Sequence, residues 1–268
     1  MWKKFTATSS NSSRNTRYKY LIAYIESNEP LRMTQPLVRP LQSLLHLFFP
    51  HYCPGCFIDL HQPQELICPI CEYQLPATDF ACLKNNPVEK IFFGRLPLAA
   101  ATSAFYFTTD SLIQELIFSL KYRQKKEAGI WLGRKLGSSI FNSRRFHSID
   151  CIIPLPLHTD KMILRGYNQA EIIAKGIQQN LGIPLHTHAI IREKFTQSQT
   201  RQTRDNRWLN MKEIFRVTDT ELLMNKHCLL VDDVVTTGAT LEACGKALLS
   251  VPGCQISIAT VAYTSLTG

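Results

Sequence analysis

The chain has 268 residues, 45% of them hydrophobic and 19% charged, an ordinary globular composition that excludes a disordered or fibrous protein. Its apolar runs, such as Leu21–Ile25 and Leu47–Phe49, fall far short of the roughly 20 residues a membrane helix needs, so membrane-spanning classes are excluded. Thirty Lys and Arg against 21 Asp and Glu give a net charge of +9, which favours phosphorylated metabolites, nucleic acid or an acidic protein surface as partners.

The front of the chain is basic. Residues 1–32 carry Lys3, Lys4, Arg14, Arg17, Lys19 and Arg32 against Glu26 and Glu29, and they are rich in Ser, Asn and Thr. They lack the apolar block of about 7–15 residues found in a secretory signal. This stretch reads as a disordered arm, as a weak organellar-targeting pattern, or as an extension ahead of a start at Met33. From Met33 an amphipathic run predicts a leading helix. With no secretory signal, the nine cysteines point to a reducing, cytoplasmic setting rather than to a disulfide framework.

Next comes HYCPGCFIDLHQPQELICPICEYQL. Cys53 and Cys56, and then Cys68 and Cys71, form two Cys-x-x-Cys pairs, each able to clamp one edge of a tetrahedral ion with sulfur about 2.3 Å from zinc. Pro54-Gly55 and Pro69-Ile70 suit the tight knuckles that aim both thiols at one metal. Four thiolates close the coordination shell, so such a zinc is structural. The competing reading is four buried or redox-active thiols, with His51, His61 and Cys82 as spare ligands. Residues 33–85 are therefore expected to form a zinc ribbon with its leading helix, ahead of a larger domain over 86–268. Cys151, Cys228, Cys244 and Cys254 stand among apolar neighbours and read as small core side chains.

The larger domain alternates strand and helix signals. Ser111 and Gln114 offer a capping box before Leu112, Glu115, Leu116 and Leu120. Leu132, Leu136 and Ile140 share one helical face. Ile149–Leu157 is a short apolar run typical of a strand buried on both sides, and a helix follows from about Asn168 to Leu181, stopped by Gly182-Ile183-Pro184. His227–Val231 predicts a second buried strand, Leu241–Ser250 a helix ended by Pro252-Gly253, and Gln255–Ala262 a third strand. Repeated β–α–β order implies a parallel sheet flanked by helices, whose ligands bind at the carboxyl ends of the strands.

The densest chemistry lies in CLLVDDVVTTGATLEACGKAL, Cys228 to Leu248. An apolar strand runs into two carboxylates, Asp232 and Asp233. After Val234 and Val235, the small or hydroxylated residues Thr236, Thr237, Gly238, Ala239 and Thr240 open a helix. Small side chains let backbone N–H groups approach a ligand, and a helix N-terminus adds about half a positive charge, so this turn is a phosphate cradle. The acids cannot bind that phosphate; they suit vicinal sugar hydroxyls or a magnesium ion. Sugar hydroxyls and a terminal phosphate on one molecule describe a ribose 5-phosphate. The competing reading is a structural strand–turn–helix with incidental acids.

These residues match the phosphoribosyl-diphosphate signature of type I phosphoribosyltransferases. The order of zinc ribbon, FSLKYRQK, IPLPLHTDKMILRGYNQAE, KFTQSQTRQTRDNRWLNMKEIF and VDDVVTTGATLE resembles the ComF/GntX family from about Cys53 onward. Arg165-Gly166-Tyr167-Asn168-Gln169, Thr196 and Ser198-Gln199, and then Arg207, Asn210 and Phe215, look like that family's hallmarks. The resemblance implies a type I phosphoribosyltransferase-like fold in which Asp232 and Asp233 contact ribose hydroxyls and Thr236 to Thr240 hold the 5-phosphate. It places the diphosphate loop at Pro154-Leu155-Pro156-Leu157-His158, with Lys161 and Arg165 beyond it as neutralising cations. Relatives carry arginine where this chain has Lys161, which replaces a bidentate fork by a point charge. Lys121-Tyr122 reads equally as a site cation or as a surface residue.

Two functions compete. One is an enzyme of the glycosyltransferase class that transfers ribosyl 5-phosphate from phosphoribosyl diphosphate to a nitrogen nucleophile, with Mg2+ bridging diphosphate and ribose oxygens. The other, implied by the resemblance to ComF, is a binding protein of competence and DNA uptake that grips single-stranded DNA or a DNA-uptake helicase. The segment 192–216, with Arg192, Lys194, Arg201, Arg204, Arg207, Lys212 and Arg216 against three acids, serves either function. It would act as a closing loop in the first, or as a backbone-binding arm with Phe195 or Trp208 as stacking faces in the second. It also reads as a plain solvated connection.

Overall fold

The computed structural model describes residues 51–60, 65–193 and 214–264. The chain separates into two compact units, Met1–Pro50 and His51–Gly268, and every described residue lies in the second. The basic arm, the leading helix, His61 and most of the 192–216 segment, including Phe195, Thr196, Ser198, Gln199, Arg207, Trp208 and Asn210, lie outside the described residues. No described helix is long and apolar enough to cross a membrane.

Two short helices, α1 (Pro69–Tyr73) and α2 (Pro87–Ile91), precede the first strand, β1 (Ala100–Tyr106). Asn86 caps α2 and, 3% exposed, donates from Nδ2 to the carbonyls of Phe80, Leu83 and Ala101, joining helix, loop and strand. Helices α3 (Leu112–Tyr122) and α4 (Lys126–Phe141) follow. Ser111 accepts from the Gln114 N–H at 3.2 Å as the capping box predicts, but Gln114 returns its carbonyl to Asp110 N, one residue early. Strand β2 (Cys151–Pro154) is shorter than the apolar run that announces it. It leads to α5 (Thr159–Arg165) and α6 (Gln169–Leu181); the latter starts and stops where the sequence indicates, with Asn168 as its cap and Gly182 at its end.

Strands β3 (Ile190–Glu193) and β4 (Ile214–Val217) pair antiparallel, and a single turn, α7 (Thr220–Leu223), precedes β5 (His227–Val235). Helix α8 (Ala239–Leu249) and β6 (Gln255–Tyr263) complete the unit. The main sheet is parallel throughout, in the order β1-β6-β5-β2. Side chains along a strand alternate between faces. Leu229 and Val231 of β5 thus join Ile113, Leu120, Leu132, Leu136, Ile173 and Ile177 of α3, α4 and α6 on one side. Cys228 and Leu230 meet Val88, Phe92, Leu241, Cys244 and Leu248 of the α2–α8 side on the other.

Helices α4 and α6 cross at bare backbone: a Cβ on Gly176 would lie 2.3 Å from the Ile130 carbonyl, and one on Gly133 would lie 2.1 Å from that of Ile173. Cys151, Cys228 and Cys254, far apart in sequence, are buried as expected and converge at the amino ends of β2, β5 and β6, with sulfur separations of 3.6 and 3.8 Å.

Candidate phosphate and sugar site with a four-thiol cluster

The four knuckle cysteines meet. The sulfurs of Cys53, Cys56, Cys68 and Cys71 all lie within 4.8 Å of one another. A tetrahedral ion with sulfur at about 2.3 Å requires sulfur separations of about 3.8 Å, and Cys56 and Cys68 stand at 3.6 Å, so the cluster could bind zinc. Gly55 is what lets the knuckle close, because a Cβ there would sit 2.8 Å from Cys71 Sγ. Burial works against ionisation of Cys53, but the N–H groups of Cys68, Gly55 and Cys56 outweigh it and hold the thiol down to about 6. Cys82 is exposed and outside the cluster, while His51 is occupied by the Glu65 carbonyl at 2.8 Å. Cys53, Cys68 and Cys71 bury into the same apolar core as α3 and α4.

The acid pair lies within β5 rather than beyond it. Asp232 pairs with Thr260 and Val235 with Tyr263 of β6, so the strand continues four residues past the apolar run. Ladder hydrogen bonds hold the carboxyl end of β5 rigid, and alternation sends the two neighbouring side chains different ways. Asp233, 9% exposed, turns to the α3 side, where its Oδ2 meets Lys121 Nζ at 2.8 Å. Asp232 accepts the Asp233 N–H at 2.8 Å. Its pKa is pushed up to about 7 by burial and by the charge of Asp233, against the pull of that N–H, Lys121 and Arg192.

Val234 and Val235 carry the strand to the 236–240 loop, the candidate phosphate cradle. Thr236, Thr237 and Ala239 are exposed and Thr240 half-exposed, while Gly238 takes a left-handed φ of +71° at the entry to α8. Gly238, at the N-cap of α8, has no side chain to cap it, and Ala239 N donates to Thr237 Oγ1 at 3.5 Å; a helix N-terminus of this kind is an arrangement that binds anions. Arg95 fastens the loop from behind, donating to the Thr237 carbonyl at 2.9 Å and, through Nε, to Glu242 at 2.9 Å.

The second loop runs beside this one. Leu155 N–H bonds to the Val231 carbonyl at 2.8 Å, holding Pro156, Leu157 and His158 next to the strand that carries the acids. His158 is the cap of α5, its Nδ1 accepting from Asp160 N at 3.2 Å, and Lys161 projects from that helix, exposed. Arg165 ends α5, donates to Gln169 Oε1 at 2.8 Å, and lays its guanidinium 5.3 Å over the Tyr122 ring. In the β3–β4 pair, Arg216 bonds to Glu193 at 2.7 Å and Arg192 lies over Phe215 at 5.5 Å, so both ends of the basic segment sit in strands.

Asp232, Asp233 and the residues of both loops thus lie at the carboxyl ends of β2 and β5, with Lys161 and Arg165 on the helix that follows β2, while Arg192 and Arg216 lie in β3 and β4. Arg95 was not singled out, since its partners stand about 145 positions downstream with no periodic signal linking them. Lys121 read equally as a site cation or a surface residue; the structure pairs it with Asp233, 112 positions away.

Residues 165–265 match a family model described as a phosphoribosyl transferase domain. The chain is similar to DNA utilization protein YhgH of Escherichia coli O157:H7, 32% identical over 194 residues that cover 69% of this chain and 78% of that protein. It is also similar to Competence protein F of Haemophilus influenzae, 26% identical over 75% of this chain and 92% of that one. Among solved structures, it resembles a purine phosphoribosyltransferase from Pyrococcus horikoshii at 21% identity, covering 50% of this chain and 74% of that chain, with a TM-score of 0.35. From the ordered motifs, the parallel sheet and these relatives, the chain belongs to the ComF family and carries a type I phosphoribosyltransferase domain.

Proposed function

We propose that this protein binds phosphoribosyl diphosphate at the carboxyl ends of β2 and β5. The observation that carries the reading is the continuity of acids and anion cradle: the rigid strand that holds Asp232 and Asp233 ends at Val235, and three residues, Thr236, Thr237 and Gly238, lead from it into the N-terminus of α8 at Ala239. The α8 N–H groups and the hydroxyls of Thr236, Thr237 and Thr240 would hold the 5-phosphate. Asp233 and Asp232 would accept the ribose hydroxyls, and Lys161 and Arg165 would face the diphosphate beyond Pro156, Leu157 and His158.

Lys121 already balances Asp233, and burial keeps Asp232 close to half-protonated near neutral pH, so the acids present little uncompensated charge. Magnesium would therefore enter with the ligand and would supply positive charge that favours departure of the diphosphate. The implied reaction forms a bond from the acceptor nitrogen to the anomeric carbon, breaks the bond to diphosphate, which leaves with its electron pair, and frees a proton from the nitrogen. The domain's part is to orient the donor and stabilise developing charge. The knuckle cysteines would hold a structural zinc.

A second reading places the domain in DNA uptake, supported by the names of the relatives, Competence protein F and DNA utilization protein. On that reading, single-stranded DNA or a DNA-uptake helicase is the partner, and DNA affinity falls steeply with salt.

Calorimetric titration of phosphoribosyl diphosphate, with and without magnesium, tests the first reading. Magnesium-dependent binding that is lost in Asp232→Asn/Asp233→Asn is the expected result. Neutralising Asp232 removes a charge that burial disfavours, so loss of binding without loss of fold is readable. Unchanged affinity in the double variant would refute the site, and salt-dependent DNA binding by a protein that ignores phosphoribosyl diphosphate would favour the second reading.

A further inference from the structure

The last turn of α3 touches the site at three consecutive residues. Tyr167, two residues after Arg165, donates its hydroxyl to the Leu120 carbonyl. Lys121 Nζ lies 2.8 Å from Asp233 Oδ2, with the two side chains only 22% and 13% exposed. Tyr122 lies under the guanidinium of Arg165, its ring 4.8 Å from that of Phe118 on the same helix. One helical turn therefore joins the acid on β5 to the cation that ends α5. The sequence left Lys121 as either a site cation or a surface residue.

A lysine ammonium is a flexible point charge, and holding it in a half-buried pair costs side-chain entropy unless the pair is built in. Here the flanking residues are tied on both sides, by Tyr167 to Leu120 and by Arg165 to Tyr122, so the backbone that carries Lys121 is fixed. Lys121 also pulls on the neighbouring Asp232, ahead of Arg192. The lysine therefore bears on both acids while pairing directly with Asp233.

We infer that Lys121 is a positioning residue for Asp233: its ammonium holds that carboxylate in one place, so that Asp233 meets the ligand's hydroxyls as a ready acceptor. The inference rests on the phosphoribosyl diphosphate reading above. Lys121 acts through charge and not through shape, so arginine should replace it and methionine should not.

The test compares wild type, Lys121→Met and Lys121→Arg by calorimetry with phosphoribosyl diphosphate and magnesium. Urea denaturation of Lys121→Met, Asp233→Asn and the double variant accompanies it. Methionine should weaken binding about 10- to 100-fold, the range for losing a charged hydrogen bond, while arginine should stay within about threefold. The denaturation midpoints should be non-additive, because the second substitution of a coupled pair costs less than the first. Additive midpoints beside normal wild-type binding, or an arginine variant as weak as methionine, would overturn this inference alone. No binding by folded wild type would overturn the phosphoribosyl diphosphate reading and this inference with it.

Discussion

Gly238→Ala is expected to destabilise the protein by about 2–5 kcal/mol and to damage the anion cradle, and the two contributions to the stability loss can be separated. Gly238 holds φ at +71°, a conformation that costs a residue with a Cβ about 1–2 kcal/mol. The new Cβ would also lie 2.7 Å from Phe92 Cε1, 2.8 Å from Ile91 Cγ2 and 2.9 Å from Phe92 Cζ. Phe92 is 1% exposed and has no open space to retreat into, so overpacking adds about 1–3 kcal/mol. Gly182 supplies the control, since its φ is +64° and nothing lies within 4 Å of a Cβ built there. Gly182→Ala should therefore show the backbone cost alone. Urea denaturation of both variants beside wild type gives the difference. Equal losses would refute the claim that the phosphate loop is seated on Phe92. Calorimetry then reads the site: a loop pushed off its seat misaims the α8 N–H groups, so phosphoribosyl diphosphate affinity should fall at least about tenfold in Gly238→Ala and not in Gly182→Ala.

Two further expectations concern the rest of the unit. Purified protein should carry about one zinc per chain by atomic emission; Cys71→Ser, which removes a buried ligand, should lose the metal and lower the melting temperature, and a full zinc load in that variant would contradict the four-thiol assignment. His227 is buried between the hydroxyls of Ser148 and Ser257, each 2.9 Å from a ring nitrogen, and burial holds its pKa below the ordinary 6.5, against the opposing pull of Asp150. Below pH 6.5 the unfolded chain takes up a proton that the folded ring resists, so stability should fall as pH drops through that value, by up to about 1.4 kcal/mol per pH unit. His227→Asn should flatten that part of the stability–pH curve; a slope identical to wild type would show that the ring titrates freely.

The parts of the fold that could be read from the sequence were those with local causes. Asn168 as a cap and Gly182 as a stop bracket α6 because capping and left-handed turns are decided within four residues. Buried strands announce themselves as apolar runs, which is why β2, the first half of β5 and β6 were visible. Strand β1, AATSAFY, was not, because its small and hydroxylated residues carry no apolar signature. It is a strand because β6 pairs with it from Ala100 to Tyr106, a cause some 160 residues downstream. The same applies to the end of β5. Carboxylates are poor strand formers, and only the ladder to Thr260, Ala262 and Tyr263 makes Asp232–Val235 extended.

That last point bears on how the site works. Had the strand stopped at Val231, the acids would stand on a loop free to turn both carboxylates toward one cation, and a resident metal would be their natural counter-charge. Because the ladder continues, the two side chains leave the strand on different faces. Lys121 arrives from α3 to pair with Asp233 and pulls on Asp232 as well, and Arg192 adds to that pull from the β3–β4 pair. Neither cation could be assigned from the sequence, since each is placed by the packing of a separate element against the finished sheet. The motif therefore records which chemistry is present, while the strand register decides how it is charged. A carboxylate paired with a fixed lysine is held in one place, which is what the proposed sugar-binding role of Asp233 requires.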